Sequence, residues 1–138
     1  MSCYDINSKK ENYVKGKFAS LSVISDVKGT KPYRVIFENP FKSFSVESWS
    51  KLILVIAEYI VATFSDDGGR RLKDSKAQDG YGIMFFLEGK QKNIKYAYIN
   101  EIDLSVYKCG GSNLTIEIVK EICKLYAINT DDVLILYK

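Results

Sequence analysis

Residues 49–64 read WSKLILVIAEYIVATF, and this stretch decides the fold. Trp49, Leu52, Ile53, Ile56, Ile60 and Phe64 fall at the spacings of one helical face, while Leu54, Val55, Tyr59, Val61 and Ala62 fill most of the remaining surface. Only Lys51 and Glu58 mark a polar stripe. A helix apolar nearly all round is either the central element of its fold or carries a face that another chain covers. Ser50, Lys51 and Glu58 interrupt the run, which is too short to cross a hydrocarbon core of about 30 Å, so no membrane span is expected. Ser45 or Ser48 supplies the helix cap, because a short hydroxyl accepts an unpartnered amide proton of the first turn, and Glu47 favours the positive helix end. If one face is spent on a sheet, some of Leu54, Val55, Tyr59 and Ala62 still need a cover. Leaving a Leu or Val exposed forfeits about 1.5–3 kcal/mol of burial per side chain. Two covers are open: residues 13–27 folding over the helix, or a second copy in a two-fold homodimer.

Working outward, residues 1–12 are polar without periodicity and are expected to form a flexible tail, which leaves 13–138 as a single domain. Residues 13–27 alternate loosely through Phe18, Leu21, Val23 and Val27, and 28–31 form a turn. Tyr33-Arg34-Val35-Ile36-Phe37 is β-branched and aromatic, bounded by Pro32 and by Glu38-Asn39-Pro40, so the two stretches read as a hairpin. After the helix, residues 65–82 are aperiodic, with eight charged residues and four glycines. Loops of that length are usually functional, and Asp66, Asp67, Arg70, Arg71 and Lys73 are the candidate partner-binding residues there. The run 83–87 (IMFFL) reads as a strand buried on both sides, 89–93 as a turn and 94–99 as an alternating strand, giving a second hairpin. Residues 102–107 suggest a further strand. Residues 114–126 form the clearest amphipathic helix, with Ile118, Val119, Ile122, Leu125 and Tyr126 on one face and Glu117, Lys120, Glu121 and Lys124 on the other. The last strand, Val133-Leu134-Ile135-Leu136-Tyr137, is apolar at every position and should be interior. The expected class is α+β: two helices packed on a mainly antiparallel sheet, in the order ββ(β)αββ(β)αβ.

Composition narrows the chemistry. With 138 residues, 46% apolar and 27% charged, the chain is of the ordinary globular kind. It contains no histidine, which removes Ser/His and Cys/His dyads, histidine-ligated zinc and the usual general base near neutral pH. The net charge of +3 arises in the first 40 residues, where seven basic residues face four acidic ones and Lys9, Lys10, Lys15 and Lys17 cluster. Arg34, Arg70 and Arg71 are the only arginines, which disfavours bidentate base reading. Three cysteines, Cys3, Cys109 and Cys123, stand at no metal-like spacing and suit a reducing compartment. Residues 1–10 are polar and lack the apolar core of a secretory signal. A cytoplasmic location is expected, in a bacterial cell or in its host's cytoplasm if the chain is phage-encoded. The richness in Lys, Ile, Asn and Tyr fits an A+T-rich bacterial or phage genome.

Among chemical constellations, Asp79 followed by Glu88-Gly89-Lys90 follows the metal-nuclease pattern, in which two carboxylates hold a divalent ion and a lysine polarises the phosphate. Gly89 stands where those enzymes carry an apolar strand residue, and a lysine-rich hairpin turn is the stronger reading. Cys109 lies beside Lys108 and just before a helix, yet has no histidine partner. Neither Gly68-Gly69 nor Gly110-Gly111 has the offsets of a phosphate loop, and no cofactor is expected. Lys90, Lys92, Lys95, Tyr96 and Tyr98, with Arg70 and Arg71 nearby, form a possible nucleic-acid face of phosphate contacts and stacking rings. An outward strand face of Lys and Tyr is the alternative. The leading expectation is a non-enzymatic protein-interaction module (inhibitor, adaptor or subunit) whose partner is another protein.

Tyr33-Arg34-Val35-Ile36-Phe37, Ser48-Trp49 with its helix, Ser112-Asn113-Leu114-Thr115, and Asp131-Asp132 before the last strand together resemble small uncharacterised bacterial modules of the same element pattern. Such modules occur near restriction or mobile-element genes. The resemblance covers about two-thirds of the chain, brings no catalytic residue, and implies a phage or bacterial-defence setting.

Overall fold

The computed structural model describes residues 17–138, so the tail expected at 1–12 and the lysines at 9, 10 and 15 lie outside the described residues. The chain runs β1 (Lys17–Ser20), β2 (Pro32–Glu38), β3 (Phe41–Ser45), α1 (Trp49–Thr63), α2 (Arg70–Lys73), β4 (Phe86–Glu88), β5 (Tyr96–Ile99), β6 (Leu104–Tyr107), α3 (Gly111–Leu125) and β7 (Val133–Tyr137). The class is α+β and every strand pairing is antiparallel. The strands divide into two sheets, a large one ordered β1-β7-β2-β3 and a small one ordered β4-β6-β5.

Helix α1 begins where Ser48 Oγ accepts the amide of Lys51 at 3.2 Å, while Lys51 Nζ pairs with Glu47 at 2.7 Å. It is apolar on most sides because it has three neighbours. Toward the large sheet, Tyr59 stacks on Phe37 with centroids 3.8 Å apart, and Trp49 packs against Tyr137. Toward the small sheet, Ile53, Leu54 and Ala57 face Ala97, Ile99 and Val106. Helix α3 lies along a third side. Leu52, Ile53, Ile56, Ala57, Tyr59 and Ile60 are buried, Val55 is half-buried, and Leu54 and Ala62 stay at the surface.

Strand β7 is interior, with β1 on one side and β2 on the other, as its continuous apolar run predicts. That insertion overturns the expected hairpin of 13–27 with 33–37, because Val35 pairs with Ile135, and Ile135 with Ala19. The strand before the turn ends at Ser20, and β2 forms its hairpin with β3 instead. The physical reason lies in residues 21–27. Leu21, Ile24 and Val27 are buried, and the segment is tied to α3 by Lys120 Nζ donating to the Ile24 carbonyl at 2.5 Å and by Asn113 Oδ1 accepting from the Val27 amide at 2.9 Å. Their apolar periodicity therefore serves α3 rather than Leu54 of α1.

The second expected hairpin is also replaced, because β6 lies between β4 and β5. Leu104, Ser105, Val106 and Tyr107 are all buried, which is the signature of a central strand. Residues 89–94 do not turn back into an adjacent strand. They cross the small sheet, held where Ser105 Oγ donates to the Gly89 carbonyl at 2.7 Å. Of 83–87, only Phe86 and Leu87 enter the strand, and Met84 meets Gln78 in an isolated bridge. Residues 65–82 are not a loop throughout. They hold a 3₁₀ turn (Ser65–Asp67) and α2, whose Leu72 is wholly buried. No helix among the described residues is long and apolar enough to cross a membrane.

Candidate functional site

Two residues of the charged segment after α1, Asp67 and Arg71, are bound to their own protein. Asp67 accepts hydrogen bonds from the Tyr126 hydroxyl and, at 3.3 Å, from the Arg71 amide, and its carboxylate pairs with Arg71 Nε at 3.5 Å. The Arg71 guanidinium lies 4.9 Å from the centroid of the Tyr126 ring and donates to the Leu125 carbonyl. Burial, and then the bond to Asp67, raise the Tyr126 phenol well above its usual range. Gly69, between Asp67 and Arg71, has a φ of +77° and passes so close to the small-sheet side that a Cβ there would fall 2.8 Å from Ile102 Cβ. Asp67 and Arg71 thus fasten α2 to the end of α3, while Asp66 and Arg70 remain exposed and Lys73 is half-buried.

The lysine and tyrosine set is brought together only in part. Lys90, Lys92 and Lys95 are exposed on one crossing segment with Ile94, which is 85% exposed. The tyrosines are committed elsewhere. Tyr96 donates to the Met84 carbonyl at 2.8 Å and meets Tyr107 edge to face, and Tyr98 donates to Asp103 at 2.6 Å. The Asp103 bond, by holding the neutral phenol, raises the Tyr98 pKa. Ser105, central on the Tyr98 side of the small sheet, is 1% exposed, so that face is closed by residues 89–94 rather than open to stacking bases.

The nuclease-like set fares differently at each member. Asp79 Oδ1 accepts from the amides of Tyr81 and Ile83 at 2.8 and 2.9 Å and closes a turn, while Glu88 and Lys90 are exposed. Among the described residues no group of three or more His, Cys, Asp or Glu side chains is arranged to hold a metal ion. Cys109 is exposed, and Cys123 is fully buried, with its thiol pushed up to about 12.

One apolar surface that no other described residue covers is one that the sequence reading missed. With α1 against one face of the large sheet, the other face carries Phe18, Leu136, Arg34 and Ser45 in one row across β1, β7, β2 and β3. Ser20, Leu134, Ile36 and Ser43 form the next row, and Phe41 lies beyond on β3. Phe18 is 74% and Phe41 68% exposed, whereas Ile36, Leu134 and Leu136 are half-buried. Arg34 sits among them with Nη1 on Ser43 Oγ at 2.7 Å and Nη2 on Ser45 Oγ at 3.2 Å, and it forms no ion pair among the described residues. A strand apolar in both alternating registers, with two long helices among the described residues to cover two sheets, was the available signal. A second surface, the cleft of about 450 Å³ between α1 and β5, is lined by Leu54, Val61, Ala62 and Tyr98 and edged by Glu58 and Glu101. No family model matches the chain, and comparison with curated proteins and with solved structures gives no match.

Proposed function

We propose that this chain is a non-enzymatic protein-interaction module that binds another polypeptide through the outer face of its large sheet. The observation that carries the proposal is the pair of rows holding Phe18 and Leu136, and Leu134 and Ile36, with Phe41 beyond, which no other described residue covers and which surround a single arginine. Exposed apolar patches rimmed by polar groups mark association surfaces, and each large side chain buried there contributes about 1.5–3 kcal/mol. Aromatic anchors beside an arginine are also the composition of binding hot spots. The role as inhibitor, adaptor or subunit rests on the lack of histidine, the over-apolar first helix and the charged segment after it, and the phage or bacterial-defence setting on the resemblance carried by residues 33–37, Ser48-Trp49, residues 112–115 and Asp131-Asp132.

The test is affinity capture from a bacterial lysate with the wild-type chain and with Phe18→Ser/Leu136→Ser, read by mass spectrometry. A protein retained by the wild type and lost by the variant supports the proposal. Recovery of nucleic acid alone, with release at moderate salt, would replace it with phosphate binding through Lys90, Lys92 and Lys95.

A further inference from the structure

We infer that β3 is a strand-addition edge, and that its occupant is an extended acidic segment of the partner protein, carrying an Asp or Glu that meets Arg34. This inference rests on the protein-binding reading above and adds the recognition mode and the partner's chemistry.

The hydrogen-bond phase of the β2–β3 hairpin comes first. Val46 donates to the Tyr33 carbonyl at 3.2 Å, and the register sets Arg34 opposite Ser45, Val35 opposite Phe44 and Phe37 opposite Lys42. Bonded and non-bonded pairs alternate in an antiparallel ladder, so Val35–Phe44 and Phe37–Lys42 are bonded pairs. Phe41, Ser43 and Ser45 then direct both N–H and C=O away from β2. β3 is the terminal strand of its sheet, and these groups have no hydrogen-bond partner among the described residues. The edge is five residues long and contains neither proline nor glycine. Lys42 is its only charge, so little discourages pairing.

Arg34 supplies the chemical preference. Its two terminal nitrogens bridge the Ser43 and Ser45 hydroxyls, which places the guanidinium over β3 on the outer face. A strand added beside β3 would lie about 4.8 Å beyond it. The residues of that strand opposite Ser43 and Ser45 put their side chains on the same outer face, within reach of the fork. Among the described residues only two neutral hydroxyls meet the guanidinium, and a carboxylate is the group that arginine pairs with most strongly there. The occupant is therefore not a second β3. Its sequence FKSFS has no carboxylate, and two-fold pairing about Ser43 would set two Arg34 forks on one face.

The probe is a random octapeptide library selected on the immobilised full-length chain. Enriched peptides are expected to contain Asp or Glu flanked by β-branched or aromatic residues. A synthetic peptide of that sequence should bind about tenfold or more weakly to Arg34→Gln. Ser43→Pro deletes an outward N–H without touching the β2 ladder and should abolish binding. Because that variant could also disturb the strand, amide exchange of Ser43 and Ser45 in the wild-type chain provides a second readout, and both should slow in the complex. Selection no better than the bare support, peptides indifferent to Arg34→Gln, or unchanged exchange at Ser43 and Ser45 each overturn the inference. Dimerisation through β3 overturns it in favour of a second copy. A lysate partner lost by Phe18→Ser/Leu136→Ser but kept by Arg34→Gln and Ser43→Pro would leave the protein-binding proposal standing and remove strand addition alone.

Discussion

Replacing Tyr126 with Phe removes one oxygen from a packed site, and the consequence should depend on pH in a defined way. Tyr126 is 2% exposed, packs on Phe64 with centroids 5.0 Å apart, and donates its hydroxyl to Asp67, which also holds Arg71. A hydrogen bond to a charged acceptor contributes about 1.5–3 kcal/mol, and the ring itself is retained, so Tyr126→Phe should cost about 2 kcal/mol at pH 7. The folded state raises the phenol's pKa, through burial and through the Asp67 carboxylate. The neutral phenol is thus the form that folding prefers. Its stabilisation is complete below the unfolded value near 10 and is lost as pH rises toward the folded value. From pH 10 to pH 11 unfolding releases between half and nearly all of this proton, and wild-type stability should fall by about 1 kcal/mol through Tyr126 alone. Burial also raises Tyr59 and Tyr96, so both proteins lose stability over that range, and the difference between them isolates Tyr126. Urea denaturation at pH 7, 10 and 11, under reductant, measures both quantities. A variant within 0.5 kcal/mol of wild type at pH 7, or an identical loss from pH 10 to 11 in the two proteins, would refute the assigned role of the Tyr126–Asp67 bond.

Three further outcomes are expected. Leu72→Ala should lower stability by about 3 kcal/mol in thermal or chemical melts, because Leu72 is wholly buried although it lies in a four-residue helix; a cost below 1 kcal/mol would mean that α2 is not packed on the core. Ser48→Ala should cost about 1 kcal/mol by leaving the Lys51 amide unpartnered, and Ser48→Asp should restore it, both read from the same melts. In a Cys3→Ser chain at pH 8, an aromatic disulfide reagent should titrate Cys109 at once and Cys123 only after denaturant is added, since burial holds Cys123 as the thiol with a pKa near 12; rapid reaction of both would contradict its burial.

Elements were legible in the sequence where local chemistry decides them, and partners were not. The cap at Ser48, the span of α1 and the interior place of β7 all follow from residues adjacent in the chain. Strand neighbours depend on distant pairing. The turn after residue 27 has the composition of a hairpin, yet β7, more than 100 residues later, takes the place beside β2. The continuous apolar run of β7 predicts a central strand, but it does not distinguish burial on both faces from one buried and one uncovered face. Val133 and Ile135 are buried, while Leu134 and Leu136 point outward beside Phe18 and Ile36. Charge density marked Asp66, Asp67, Arg70, Arg71 and Lys73 as one set, and nothing local to Asp67 and Arg71 announces the tyrosine, 59 residues beyond Asp67, that both of them meet, while Asp66 and Arg70 stay exposed. Tyr96 and Tyr98 alternate as an outward face should, and only the crossing of residues 89–94 over Ser105 closes that face.

The outer face of the large sheet is tested most directly by contact in the cell. A photo-reactive benzoylphenylalanine is placed at Leu136, and in separate chains at Ile94 and at Leu54, which lie on the crossing segment and beside the α1 cleft. After irradiation, Leu136 is predicted to yield one discrete adduct with a second protein, and that adduct should disappear when Phe18→Ser is added. An adduct formed only from Ile94 or Leu54, or nucleic acid as the sole species joined at any position, would contradict the assignment of this face as the binding surface.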